Sequence, residues 1–139
     1  MKKLFISLPM RNRTIPEIKQ ERNDILEWFK EFYSTFATDH NLQSDFDFQV
    51  IDTIWSMPIP EGTLHGCWYL GKSISALATA DLAIFSPEYY NASGCIIERG
   101  VCDIYNIPMI ILEYTKHGLE WTYKPKHISR LTMQGESHG

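Results

Sequence analysis

Four short apolar runs, separated by segments with helical periodicity, constrain the fold of this chain more than any other feature. They are predicted to be buried strands, beginning with Leu4-Phe5-Ile6 and continuing at residues 48 to 55, 81 to 85 and 109 to 112. Continuous apolar strands that alternate with helices need a sheet that is covered on both faces. The sequence therefore predicts a single small α/β domain, doubly wound in the Rossmann-like or flavodoxin-like manner, with a mainly parallel sheet.

Three amphipathic segments supply the helices. Thr14, followed by Glu17, forms a capping-box pattern that predicts a first helix over about 15 to 37. A second helix is predicted over about 66 to 79, and a third over about 94 to 105 with Ser93 as its N-cap. No clear periodicity follows residue 112. Residues 1 to 114 are assigned to the α/β domain and residues 115 to 139 to a C-terminal extension of unassigned structure, whose aromatic side chains are candidates for an interface.

Composition limits the classes of function. The length of 139 residues fits one domain, and 13 basic against 17 acidic residues leave a net charge of −4. Because no basic cluster is longer than Lys2-Lys3, binding to duplex nucleic acid is not expected. No apolar run approaches the ~20 residues of a membrane helix, and the N-terminus lacks a signal-peptide pattern. We expect a cytoplasmic protein with no membrane partner.

The three cysteines are expected to be reduced. An odd count cannot pair fully within one chain, and on a helix Cys95 and Cys102 would lie ~10 Å apart along the axis, beyond disulfide reach. Buried thiols are the expected state for these two. His65 and Cys67 form the one close His/Cys pair, and without a second pair at ligand spacing no metal site is predicted.

The carboxyl ends of the predicted strands are where a ligand should bind, because doubly wound folds place their clefts there. This rule selects residues 7 to 14, 56 to 66 and 86 to 94. In the first segment, Arg11 and Arg13 precede a helix N-terminus, where N–H groups and guanidinium groups can bind an anion. Two solvated surface arginines are the alternative. Glu98 borders the buried face of the third helix and is the candidate reactive carboxylate, with a surface glutamate as the alternative.

Other patterns have a competing structural interpretation. Residues 66 to 73 match the phosphate-binding pattern G-x-x-x-x-G-K-S, but the intervening residues are bulky and no strand directly precedes them. We interpret this segment as a helix start with a solvated Lys72. Asp81 opens the third strand, where a carboxylate more often caps a junction. Four aromatic residues near the predicted loops are candidates for stacking on a nucleobase: Trp55, Trp68, Tyr89 and Tyr90.

Taken in order, four segments resemble the nucleoside 2-deoxyribosyltransferase superfamily, including its deoxynucleoside 5′-monophosphate N-glycosidases. They run from Leu4 to Arg11, Ala80 to Phe85, Ser93 to Glu98 and Ile107 to Ile111. The resemblance implies that Glu98 is the nucleophile that attacks the anomeric carbon and forms a covalent deoxyribosyl intermediate. It also implies that sugar and phosphate contact the following residues: Ser7, Pro9, Met10, Arg11, Asn12, Arg13, Asp81, Ser93 and Gly94.

The resemblance further implies a nucleoside or nucleotide ligand, no cofactor, and a homo-oligomer. The family usually carries an aspartate eight residues before the position of Asp81, where it assists proton transfer, and this chain has Ser73 there. Serine is a poor general acid. Two functions therefore remain open. One is cleavage or transfer of the N-glycosidic bond of a 2′-deoxynucleoside or its 5′-monophosphate. The other is a catalytically impaired protein that binds a nucleotide or an NAD-derived signal in the same cleft.

Overall fold

Five strands form one sheet in the order β2-β1-β3-β4-β5. The computed structural model describes residues 1–42, 46–55 and 57–131; Ser56 of the second predicted ligand segment and residues 132 to 139 of the predicted extension lie outside the described residues. The elements are β1 (Lys2–Ser7), α1 (Ile15–Asp39), β2 (Phe48–Val50), α2 (His65–Leu77), β3 (Leu82–Phe85), α3 (Ser93–Tyr105), β4 (Met109–His117) and β5 (Glu120–Ser129). Strands β1 to β4 pair in parallel and β5 pairs antiparallel with β4. The predicted α/β class with a mainly parallel sheet is confirmed.

The apolar runs are continuous because both faces of the sheet are buried. Alternate residues such as Leu4 and Ile84 pack against Phe29 and its neighbours on α1. The intervening residues, such as Phe5, pack on the opposite face with Leu77 of α2. Successive side chains of a strand point to opposite faces. Alternate positions along each strand therefore face α1 on one side of the sheet and α2 on the other.

Helix α1 begins with the predicted capping box. Thr14 Oγ1 accepts a hydrogen bond from the Glu17 backbone N–H at 3.2 Å, and Glu17 Oε1 accepts from the Thr14 backbone N–H at 2.9 Å. These bonds, led by the one from the backbone, lower the pKa of Glu17. They satisfy N–H groups that a helix N-terminus otherwise leaves unpaired.

Two predicted boundaries differ in the structure. Strand β2 ends at Val50 and does not reach residue 55, because Asp52 Oδ1 accepts a hydrogen bond from the Ile54 backbone N–H at 3.0 Å and turns the chain. The prediction that Ser93 is the N-cap of α3 was wrong. Ala92 is the N-cap residue, without a side-chain hydrogen bond, and Ser93 is the first helical residue.

The C-terminal segment extends the sheet. Strand β4 continues past residue 114, where the sequence suggested that the α/β domain ends and the extension begins. Gly118, at a φ of +63°, lies in the two-residue link to β5. Leu131 returns to the core beside α1. The mostly exposed side chains of β5 explain why no apolar pattern marked it in the sequence. Among the helices of the described residues, none combines the length and apolar character needed to cross a membrane.

Candidate functional site

Strands β1 and β3 lie side by side, and their chain connections leave in opposite directions. The connection from β1 leads through α1 to β2, whereas the connection from β3 leads through α3 to β4. At their carboxyl ends the Ser86 backbone N–H donates to the Ser7 carbonyl oxygen at 2.9 Å. A strand order of this kind opens a crevice between the two diverging connections. Ser7 and Ser86 mark its floor.

Glu98 reaches this crevice from helix α3. Its side chain lies on the buried side of the helix with Cys95 and Cys102, and only 6% of it is exposed. Ser7 Oγ donates a hydrogen bond to Glu98 Oε1 at 2.7 Å. The alternative of a surface glutamate is therefore wrong. Among the described residues, Glu98 is the one charged residue that is buried.

Burial sets the protonation of Glu98. Loss of solvation raises the pKa of the Glu98 carboxyl to about 7, and the hydrogen bond from Ser7 opposes this rise by favouring the charged form. Within the described residues no cation forms an ion pair with this carboxyl. A buried carboxyl that exchanges its proton near neutral pH is costly for folding and typical of a reactive site.

A second serine and glutamate pair occupies the opposite face of the sheet. The fully buried Ser86 donates through Oγ to Glu21 Oε2 at 2.8 Å, and Arg13 Nη1 pairs with Glu21 Oε1 at 2.5 Å. The same Arg13 nitrogen donates to the Pro9 carbonyl oxygen at 2.8 Å. Arg13 is therefore neutralised within the chain and turned towards α1.

The two arginines predicted to act together are thus separated by the structure. Arg11 is exposed and, among the described residues, makes no hydrogen bond or ion pair. Asn12 lies between them with a φ of +61°, in the left-handed region that asparagine tolerates better than most residues. Arg11 is the cation of this loop that remains available to an anion.

The other predicted contact residues lie at both ends of the strands, some beyond the carboxyl ends and one at the amino end. Pro9 and Met10 follow β1, and Met10 packs against the core on the α1 side. Ser93 and Gly94 form the first turn of α3, ahead of Glu98. Asp81 lies at the amino end of β3, where its Oδ2 accepts a hydrogen bond from the Lys3 backbone N–H at 2.7 Å. The structure therefore does not bring Asp81 to Glu98, and its carboxylate joins β1 to the start of β3.

The segment that matches the phosphate-loop pattern is helical as predicted, because residues 66 to 73 all belong to α2. The Lys72 ammonium lies 5.4 Å from the centre of the Trp68 ring. Ser73 lies half-buried on the same helix. Its position therefore supplies no carboxyl group for proton transfer.

Sequence reasoning missed Ser86, Glu21 and the contact between Arg99 and Tyr89. Arg99 Nη1 donates to Tyr89 Oη at 2.9 Å, and its guanidinium carbon lies 5.5 Å from the centre of that ring. A serine directly after a buried strand was a usable signal for Ser86, since Ser7 ends β1 in the same way. Glu21 had no such signal, because it is one of several acidic residues on a charged helix.

The cysteines do not offer an alternative nucleophile at this site. All three are free; Cys67 is exposed, and Cys95 and Cys102 are buried as expected. Burial raises the pKa of the Cys95 thiol to about 11, which keeps it protonated and unreactive. Within the described part of the chain, no three His, Cys, Asp or Glu side chains are grouped so that they could hold a metal ion.

Comparison of the chain with protein-family models, with curated proteins and with solved structures gave no match. The chemistry of Glu98 has to follow from its own surroundings.

Proposed function

We propose that this protein cleaves or transfers the N-glycosidic bond of a 2′-deoxynucleoside or its 5′-monophosphate, with Glu98 as the nucleophile. The observation that carries the proposal is a buried carboxyl, hydrogen-bonded by Ser7, at the crevice between β1 and β3. Cleavage of such a bond develops positive charge on the sugar. A carboxylate in a site of low polarity stabilises that charge more strongly than one in water.

Each step has a place for every bond and proton. Glu98 Oε2 attacks C1′ of the sugar while the bond from C1′ to the base nitrogen breaks, and the base leaves with the electron pair and takes a proton from water. Water or a second nucleobase then attacks C1′, the ester bond to Glu98 breaks, and the attacking group loses its proton to solvent. Ser7 holds Oε1 throughout, which leaves Oε2 as the attacking oxygen.

The rate of base release should depend on pH through Glu98. Because the attacking form is the ionised carboxylate and the pKa is about 7, kcat/KM should rise with pH and level off above neutrality. In Ser7→Ala the carboxylate loses the hydrogen bond that favours its charged form, so the midpoint should move to higher pH. A pH profile of base release for both proteins checks this. An unchanged midpoint in Ser7→Ala would contradict the role given to that hydrogen bond.

Arg11 should distinguish nucleotide from nucleoside. If its free guanidinium binds a 5′-phosphate, Arg11→Ala should weaken nucleotide binding by roughly tenfold and leave nucleoside binding unchanged. Arg13→Ala should instead lower the free energy of unfolding by about 1 to 3 kcal/mol, because Glu21, with a side chain only 11% exposed, loses its cation. Calorimetric titration with both ligands tests Arg11→Ala, and chemical denaturation tests Arg13→Ala. Lys19→Ala is the surface control for both measurements. Equal losses for both ligands in Arg11→Ala would remove the monophosphate from the proposal.

A second candidate function rests on Ser73. Without an acidic group at that position, the same crevice would suit a protein that binds a nucleotide or an NAD-derived ligand and does not turn it over. An assay of free base from a panel of deoxynucleosides and deoxynucleotides, run beside a binding titration, distinguishes the two. Release of base favours the glycosidic reaction, and binding without release favours the second candidate.

A further inference from the structure

A groove of about 360 Å³ lies between α1 and the paired strands β4 and β5. Aromatic side chains from α1 and both strands, and carboxylates from α1, line it. Trp28 and Tyr123, two of its aromatic residues, pack against the α1 side of the core, whereas Glu98 reaches the sheet from α3 on the opposite face. The groove is therefore separate from the crevice that holds Glu98, and what it binds does not depend on the proposed reaction.

Aromatic rings form the walls of this groove. Tyr114 and Tyr123 are cross-strand partners, and their rings stack with centres 5.8 Å apart. On the other wall, Trp28 stacks on Phe32 with ring centres 5.0 Å apart, which fixes its orientation. Trp121 is 66% exposed and Tyr114 is 45% exposed. Large rings held in place and open to water on one concave surface are typical of a binding site.

Carboxylates add negative charge to the aromatic walls. Asp24, Glu27 and Glu31 all line the groove, and successive ones lie ~4.5 Å and ~6 Å apart along the axis of α1. Glu27 pairs with Lys30 at 3.2 Å on the surface. Asp24 and Glu31 form no ion pair within the described residues, and no Lys, Arg or His is among those that line the groove. The groove therefore carries negative charge that the chain does not balance.

Two observations on the hairpin agree with this charge. Loss of solvation raises the pKa of the Tyr123 phenol, and nearby negative charges, Asp24 among them, raise it further, although Arg13 opposes them. The ammonium of Lys116 lies 5.5 Å from the centre of the Trp121 ring, so the chain itself already places a cation against a ring of the groove. Carboxylates and aromatic faces both attract cations.

We propose that this groove binds a linear polyamine, a small molecule whose ammonium groups are separated by short runs of methylene groups. The ammonium groups pair with Asp24, Glu27 and Glu31, whose row along α1 suits successive charges on an extended chain. The methylene groups lie against the rings of Trp28 and Trp121, as the stems of lysine side chains do on apolar surfaces. A neutral sugar also stacks on such rings, but it would leave the carboxylates without counter-charge. The volume is that of a small-molecule site.

Calorimetric titration of the full chain with spermidine at neutral pH and low ionic strength tests the proposal. Wild type should bind it saturably with a Kd below about 1 mM, and added salt should weaken the binding. The double variant Asp24→Asn/Glu31→Gln should bind about tenfold more weakly, because two ion pairs are lost. Trp121→Ala should bind about threefold to fivefold more weakly, because a cation–π contact is lost. All three side chains are exposed, so the fold should survive.

Two matched controls remove the same kinds of group outside the groove. Asp39→Asn neutralises an exposed carboxylate at the end of α1, and Tyr105→Ala removes a ring that is 72% exposed on α3. Both should bind spermidine as wild type does. Absence of saturable binding by wild type would overturn the proposal. So would an equal loss in Asp39→Asn, which would indicate attraction to the net charge of the whole chain, or tighter binding of maltotriose or of a tri-arginine peptide than of spermidine.

Discussion

Glu98→Gln should abolish release of the base while leaving the fold intact. Glutamine keeps the shape of the side chain and can still accept the hydrogen bond from Ser7, but its neutral amide cannot form the covalent intermediate. Loss of a nucleophile lowers the rate by about three orders of magnitude or more. Single-turnover measurement of free base, with circular dichroism as the folding check, gives the result directly.

The matched control is Glu88→Gln, which neutralises an exposed glutamate in the loop after β3. This variant should release base at nearly the wild-type rate. Turnover by Glu98→Gln equal to that of wild type would end the glycosidic proposal, since no other described carboxylate is buried at the crevice.

Relative to wild type, the same substitution should become more favourable for stability as pH rises through neutrality. The pKa of Glu98 is about 7 in the folded chain, against 4.5 as its ordinary value, so the folded state holds this proton more tightly than the unfolded state. The contribution of Glu98 to stability is therefore complete below pH 4.5 and is lost as pH rises to about 7. At 1.36 kcal/mol for each pKa unit, the loss is about 3 kcal/mol. Glutamine does not titrate, so Glu98→Gln escapes this loss.

The measurement is the free energy of unfolding of both proteins between pH 4 and pH 8. The difference between variant and wild type should shift by about 3 kcal/mol in favour of glutamine over that range. The difference in melting temperature between Glu98→Gln and wild type should therefore be larger at pH 8 than at pH 4, by on the order of 5 to 10 °C in favour of glutamine. A fixed cost of burying the amide affects both ends of the range equally and cancels. Parallel curves for Glu98→Gln and wild type would show that the carboxyl is not held protonated by burial.

Together the two results would separate a reactive residue from a structural one. A glutamate kept for packing or pairing lowers stability when it is replaced. Replacement of a buried carboxyl kept for chemistry lowers activity and removes the loss of stability that its ionisation causes near neutral pH, because the fold no longer carries the desolvation cost of the charge.

Local patterns in the sequence determined the elements and the class of fold. Short apolar runs between amphipathic segments indicated strands buried on both faces, and the Thr14 capping box marked the start of α1. The bulky residues between Gly66 and Gly71 indicated a helix where a phosphate loop was possible. Periodicity, capping and side-chain bulk act over a few residues, so they can be read from the chain alone. Strand β5 was not predicted from the sequence because most of its side chains are exposed.

Tertiary structure alone decided which of the candidate residues meet. Ser7 and Glu98 are 91 positions apart, and their hydrogen bond depends on β1 lying beside β3 with both side chains on the α3 face. The same strand order holds Asp81 against the Lys3 backbone at the amino ends of these strands and brings Ser86 to Glu21 at the other end. Such contacts depend on the face of the sheet and the end of the strand at which each residue lies, and no local pattern encodes strand order. The burial that raises the pKa of Glu98 is for this reason a property of the folded chain.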